Sequence, residues 1–212
     1  MSAPAPAYSL LDVTVRLGEK DVLSHVTADF AASRLHVVCG VSGAGKTTLL
    51  RLLMGLEEPV AGIIVRPSGA RLAAAFQEDR LVDAFTVSAN VRLPHGSLRG
   101  PERAALLDQT REALAAVGME GLEAAAAGKL SGGQKRRVSL LRAALAPSDV
   151  VFLDEPLRGL DEGTACLVMG WLLPRLVGKT VFWVTHSPAE SAALPDPVLW
   201  TVDGARVLPP GM

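Results

Sequence analysis

The chain has 212 residues, 49% of them hydrophobic, and a formal net charge of −1. That length suffices for one well-buried domain, and Lys and Arg spread through a near-neutral sequence supply no basic stripe to neutralise a nucleic-acid backbone. Cys39 and Cys166, the two cysteines, make neither a disulfide framework nor a metal cluster; both are expected to be reduced, buried small hydrophobes in a cytoplasmic protein. Met1 to Ala7 alternates Ala and Pro with no charged region leading into an apolar core, so no secretion signal is read there. No apolar run approaches the roughly 20 residues that cross a bilayer, so any membrane role runs through a partner.

Tyr8–Val15 and Val22–Phe30 read as antiparallel strands joined through the polar turn Gly18-Glu19-Lys20-Asp21. The apolar run Leu35–Cys39 reads as a buried strand, and Leu49, Leu50, Leu52 and Leu53 suit the buried face of a helix that stops at Gly55. Between them lies Gly40-Val41-Ser42-Gly43-Ala44-Gly45-Lys46-Thr47-Thr48, which fits the phosphate-loop pattern G-x-x-x-x-G-K-[ST] in the strand–loop–helix setting that the pattern requires. Its glycines let the backbone approach phosphate oxygens, and successive N–H groups at a helix N-terminus form a nest for an anion. Lys46 is expected to reach the β and γ phosphates and Thr47 to offer its hydroxyl to Mg²⁺, with Ser42 and Thr48 adding contacts.

Two short strands come next, Ile63–Arg66 and Leu72–Phe76, split by a Pro67-Ser68-Gly69 turn. From Asp83 to Gly128 the chain is alanine-rich and helical, with Pro101 at a helix start, Leu107, Leu114 and Val117 on one face and Gly118 at the stop. Leu130-Ser131-Gly132-Gly133-Gln134 opens a helix through Val138, Leu141 and Leu145; Ser131 has N-cap chemistry, and the paired glycines leave its start open to an anion. Strands at Asp149–Leu153 and Thr180–Val184, flanked by helices, suggest a parallel sheet covered on both faces. Pro174 is expected to shorten or kink the helix containing Trp171, and Val198–Val207 reads as a closing hairpin around Asp203-Gly204.

The strand through Leu153 ends in Asp154 and Glu155, at the strand end where ligands gather in open α/β sheets. Successive residues point to opposite sides, so the two carboxylates are given different work. Asp154 would hold Mg²⁺, and Glu155 would orient and polarise the water that attacks the γ-phosphoryl group.

The phosphate loop, the Leu130–Gln134 stretch and the strand through Glu155, in this order and spacing, resemble the ATP-binding cassette of ABC transporters, and the motifs together cover Val13–His186. The resemblance implies an α/β fold: a phosphate-loop NTPase core with a mostly parallel sheet, an N-terminal antiparallel β subdomain and a helical insert. It implies one nucleotide-binding domain over 1–212, with 1–82 and 149–212 as core and 83–148 as helical subdomain. Gln77 matches the glutamine loop that contacts Mg²⁺ and the water, Leu160-Asp161 the D-loop facing the partner site, and His186 the switch histidine at the γ-phosphate. Two cassettes of this family pair head to tail, so Ser131, Gly132, Gly133 and Gln134 would cover ATP held by the other chain's loop. At the position of the family's adenine-stacking aromatic this chain has Leu17, which puts base selectivity in question.

The run Phe76–Val87 looks like the segment of nitrate, sulfonate, taurine and thiamine importer ATPases that receives a permease's coupling helix, with Leu81, Val82 and Phe85 as apolar contacts. The chain ends soon after His186, so a minimal cassette without a C-terminal regulatory domain is expected. The resemblance then implies an ATPase that pairs with itself or a second cassette, sits peripherally on the cytoplasmic face of the inner membrane, drives separate permease subunits and uses no nucleic acid. It also leaves room for a solute-binding protein in the full system. The competing reading is a soluble cassette ATPase acting on the ribosome or DNA. Such proteins generally join two cassettes or carry long coiled coils, and neither pattern is read here.

Overall fold

A computed structural model of the chain describes residues 6–209, so most of the Met1–Ala7 stretch lies outside the described residues. In chain order the strands and α-helices are β1 (Pro6–Leu17), β2 (Lys20–Ala31), β3 (Leu35–Cys39), α1 (Lys46–Leu53), β4 (Ala61–Val65), β5 (Leu72–Ala75), α2 (Val87–Arg92), α3 (Gly100–Ala116), α4 (Gly132–Leu145), β6 (Val150–Asp154), α5 (Glu162–Leu176), β7 (Thr180–Val184), α6 (Pro188–Ala192), β8 (Val198–Asp203) and β9 (Arg206–Leu208). They fall into two units: Met1–Leu72, Asp149–Glu155 and Gly178–Met212 in the first, Ala73–Ser148 and Pro156–Val177 in the second. The helical stretch expected at 83–148 lies wholly inside the second, which also takes in 73–82 and 156–177.

In the first unit β1 and β2 form the expected antiparallel hairpin, and β4 pairs on the other side of β1 to complete a three-stranded sheet. The larger sheet of this unit runs β6-β7-β3-β8-β9, with β6, β7, β3 and β8 parallel and β9 antiparallel at the edge. All five residues of β6 and of β7 are buried, as the unbroken apolar runs of a sheet covered on both faces require. Tyr8 of β1 meets Phe182 of β7 edge-on at 5.4 Å between ring centres, and Phe182 stacks on Phe152 of β6 at 5.1 Å. Leu49, Leu50, Leu52 and Leu53 of α1 are buried to 1% exposure or less; each contributes about 2 kcal/mol by leaving water.

The register decides where the chemistry gathers. Asp154 pairs with Val184, Val184 with Val38, and Cys39 with Thr201, so β6, β7 and β3 end in line. Glu155 after β6, Thr185-His186 after β7 and Gly40 after β3 therefore emerge along one edge, the carboxyl end where open α/β sheets bind ligands.

In the second unit α3 starts at Gly100-Pro101 and turns at Gly118 as expected. Its buried face, however, is Leu106, Thr110, Ala113 and Leu114, continued by Val117, with Leu107 only half-buried. The i, i+4, i+7, i+8 spacing selects Leu106 instead of its neighbour. Helix α5 continues past Pro174 to Leu176. A proline so near the C-terminal end removes one N–H bond of the last turn and leaves little helix to break. Cys39 is half-buried and Cys166 exposed, both as free thiols. Cys166 points away from the buried face of α5, which Val168, Trp171, Leu172 and Leu176 form, so it is not the buried small hydrophobe expected. None of the described helices is long and apolar enough to cross a membrane.

Candidate functional site

Two glycines shape the phosphate loop by close approach. Gly40, at φ +150°, faces the Val202 carbonyl of β8 so closely that any Cβ would collide with it; at Gly45, φ +108°, a Cβ would stand 2.9 Å from the Val22 carbonyl. A side chain at either position would lift the loop off the strands beneath it. Beyond Gly45 no side chain caps α1 and its first turn carries no acid, so its first N–H groups, at the positive end of the dipole, are open to an anion. Lys46, 6% exposed, donates from Nζ to the Gly40 and Val41 carbonyls at 2.7 and 2.9 Å. Thr48 is buried beside it, while Val41, Ser42 and Gly43 at the loop's tip are exposed. A groove of about 390 Å³ next to the loop is lined by Val41, Ser42, Gly43 and Ala44, by Lys20, Asp21 and Val22, and by the turn Gly204-Ala205.

Thr47 Oγ1 donates to Asp154 Oδ2 at 2.9 Å, and Asp154 is 3% exposed. A hydroxyl and a carboxylate are the hard oxygen donors that a small divalent cation takes, usually completed by substrate phosphates and water. No group of three or more His, Cys, Asp or Glu suited to a metal occurs among the described residues. The pair therefore fits a shared cation site better than an all-protein cage.

Glu155 occupies the left-handed region at φ +48°, a backbone uncommon for a non-glycine residue and costing on the order of 1 to 3 kcal/mol. Its N–H donates to the Val184 carbonyl at 3.0 Å, so β7 maintains the turn. His186 Nδ1 lies 3.1 Å from Glu155 Oε1; the imidazole is 60% exposed and the carboxylate only 16%. Lys46, Thr47, Asp154, Glu155 and His186 are thus brought together at one sheet edge.

The remaining candidates belong to the second unit. Ser131 caps α4 in a reciprocal capping box: its Oγ accepts from the Gln134 N–H at 3.3 Å, and Gln134 Oε1 accepts from the Ser131 N–H at 2.9 Å. Gly132 is exposed and Gly133 half-buried at this helix start. Asp161 caps α5 by accepting from the Thr164 N–H and hydroxyl at 2.9 and 2.7 Å; these bonds hold its carboxyl below the usual range. Gln77 is exposed after β5.

The segment beyond Gln77 is held by residues to which the sequence assigns no role. Arg136, 4% exposed, donates to the carbonyls of Phe76 and Pro156 and to Asp79. Arg142 donates to the carbonyls of Arg80 and Asp79, both at 2.9 Å. Asn90, fully buried, accepts from the Val82 N–H at 2.8 Å and donates to the Val82 and Thr86 carbonyls at 3.1 Å. Burial pushes the Asp79 carboxyl up against the opposing pull of Arg136. Val82 and Phe85 are left 40% and 43% exposed. A polar Asn between apolar helix positions was the available signal; nothing in the order of the arginines reveals that they reach carbonyls far away in the chain.

Residues 23–158, well over half of the chain, match the ABC transporter family profile. The chain belongs to the ABC transporter family. This cassette is 40% identical over 197 residues to the aliphatic sulfonates import ATP-binding protein SsuB 3 of Rhodococcus jostii, covering 91% of this chain and 70% of that protein. It is likewise 40% identical over 203 residues to the SsuB protein of Escherichia coli K12, covering 91% and 76%. An uncharacterized ABC transporter ATP-binding protein of Mycobacterium tuberculosis is 33% identical over 225 residues, covering 97% and 90%. The ATP-binding cassette MJ0796, solved as a dimer in a post-hydrolysis state with ADP and Pi, matches the fold with a TM-score of 0.80 at 25% identity, covering 94% of this chain and 96% of that one. This cassette is an ATP-binding subunit of an ABC transporter and an ATPase.

Proposed function

We propose that the cassette powers a bacterial importer by closing as a head-to-tail dimer on ATP and reopening after hydrolysis. The observation that carries this reading is the convergence of Lys46, the Thr47–Asp154 pair and the Glu155–His186 pair on one sheet edge. Lys46 exchanges its two carbonyl acceptors for phosphate oxygens, and the N–H groups of the Gly40–Thr48 loop cradle the polyanion. Thr47 and Asp154 would hold Mg²⁺, with Gln77 as the further ligand that the family resemblance implies, and the cation would offset the negative charge of the phosphates. Glu155 takes the proton of the attacking water while His186 steadies that carboxylate and meets the γ-phosphate.

Ser131, Gly132, Gly133 and Gln134 of a second copy, or of a paired cassette, cover the nucleotide, and Asp161 faces the partner site. The open start of α4 adds a second helix dipole to the polyanion. The stretch 83–148 acts as the helical subdomain of one nucleotide-binding domain. Leu81, Val82 and Phe85 dock a permease, placing the cassette peripherally at the cytoplasmic face of the inner membrane, with a solute-binding protein in the full system. Relatives named for aliphatic sulfonate import support import as the direction.

The test is Glu155→Gln. It should bind ATP, elute as a dimer with ATP on gel filtration, and hydrolyse on the order of 100-fold more slowly. Wild-type turnover by the variant would remove Glu155 from the role of base.

A further inference from the structure

Glu190 is a carboxylate at the first sheet edge that the proposed chemistry does not use. It stands on α6, and both of its oxygens are taken: Trp183 Nε1 donates to Oε1 at 2.5 Å and Thr185 Oγ1 donates to Oε2 at 2.9 Å. The Thr185 oxygen also accepts from the Ser187 N–H at 3.0 Å, and Ser187 Oγ accepts from the Glu190 N–H at 3.2 Å. The result is a closed ring of bonds, Glu190–Thr185–Ser187–Glu190, around the turn after β7, with Trp183 tied to it through Glu190. Trp183 is fully buried and Thr185 is 1% exposed, so the ring is anchored in the core.

Within the span from Thr185 to Ser187 only the His186 side chain takes no part in the ring. It projects outward to Glu155, which the Val184 carbonyl holds in its left-handed turn. Burial of a carboxylate is costly unless donors meet it. Here burial pushes the Glu190 carboxyl up, opposed by the bonds from Trp183 and Thr185.

We propose that Glu190 is a positioning residue: by tying Trp183 to Thr185 it fixes the turn that delivers His186 to Glu155. This role rests on the proposed part of His186 and Glu155 in hydrolysis. It predicts a loss in turnover and not in nucleotide affinity, because no member of the ring belongs to the phosphate loop.

The experiment compares Glu190→Gln, His186→Ala and the double variant in the full-length protein, with Thr185→Val as a second break in the ring should Glu190→Gln fold poorly. Glu190→Gln and Thr185→Val should each lower kcat on the order of 10-fold, the scale of a small misplacement of a catalytic group, while the Kd for ATP stays within about twofold. The double variant should be no slower than His186→Ala alone, since residues acting through one another are not additive. In protein labelled at histidine carbons, the His186 ring resonance should move in both ring variants. An unmoved His186 resonance with wild-type kcat, a parallel loss of ATP affinity, or additive effects in the double variant would each overturn the role of Glu190. His186→Ala turning over at the wild-type rate would instead sink the reading of His186; the ring resonance would still decide whether Glu190 sets its position.

Discussion

The two units hold their functional segments by different means. In the first, the candidate residues bond to one another through side chains, Thr47 to Asp154 and Glu155 to His186, on strands whose register brings them together. In the second, the segment after Gln77 is held by its backbone: Arg136, Arg142 and Asn90 grip the carbonyls of Phe76, Asp79, Arg80, Val82 and Thr86. Side-chain pairs dictate which residue types must be present. Carbonyl grips dictate only where the chain must pass, and many residues satisfy the gripped positions equally well.

Lys46→Ala should break the first arrangement most severely. Removing the ammonium costs the phosphates a charge-assisted partner, and ATP affinity should fall about 100-fold, roughly 3 kcal/mol. Titration calorimetry giving an equal Kd would overturn the cradle. Arg136→Met tests the other arrangement: it leaves two carbonyls and Asp79 without a buried guanidinium, a kind of loss worth about 3 kcal/mol of stability. The urea midpoint should drop clearly while ATP binding stays nearly unchanged. A wild-type midpoint would mean that the grip is not structural.

Leu17→Tyr sharpens the comparison within the first unit. Leu17 pairs with Lys20, which lines the groove beside the loop, and an aromatic there should tighten ATP binding about tenfold if it stacks on the base. Unchanged affinity would place the base elsewhere. The smallest effect concerns His36, 1% exposed, whose Nε2 donates to the Ala31 carbonyl while Nδ1 accepts from Trp200 Nε1. Burial holds its pKa below the ordinary 6.5, so the unfolded chain takes up the proton first. The stability contributed by neutral His36 is complete above about 6.5 and is lost as pH falls through the lowered folded value. The midpoint should fall on acidification through that window, and more steeply than in His36→Phe. Identical pH profiles for the two proteins would refute this.

The sheet strands were legible because their apolar runs are unbroken, and the phosphate loop because its glycines and Lys46 follow from the demands of an anion. Adjacent leucines look alike along the chain, so Leu106 and Leu107 are told apart only once the rest of α3 selects a face. Composition does not say which side of α5 meets water, and so does not place Cys166. Pro174 stands in the last turn of α5, where a proline has little helix left to break.

By itself the sequence determined the α/β order of elements, the loop, the paired acids at the end of β6 and the capped start of α4, since each depends on neighbours within a few residues. Only the tertiary structure decided that Glu190 would close a ring behind His186 and that Arg136 and Arg142 would grip a segment about 60 residues away. Such contacts arise when separate elements pack, and the spacing of residues along the chain carries no record of them.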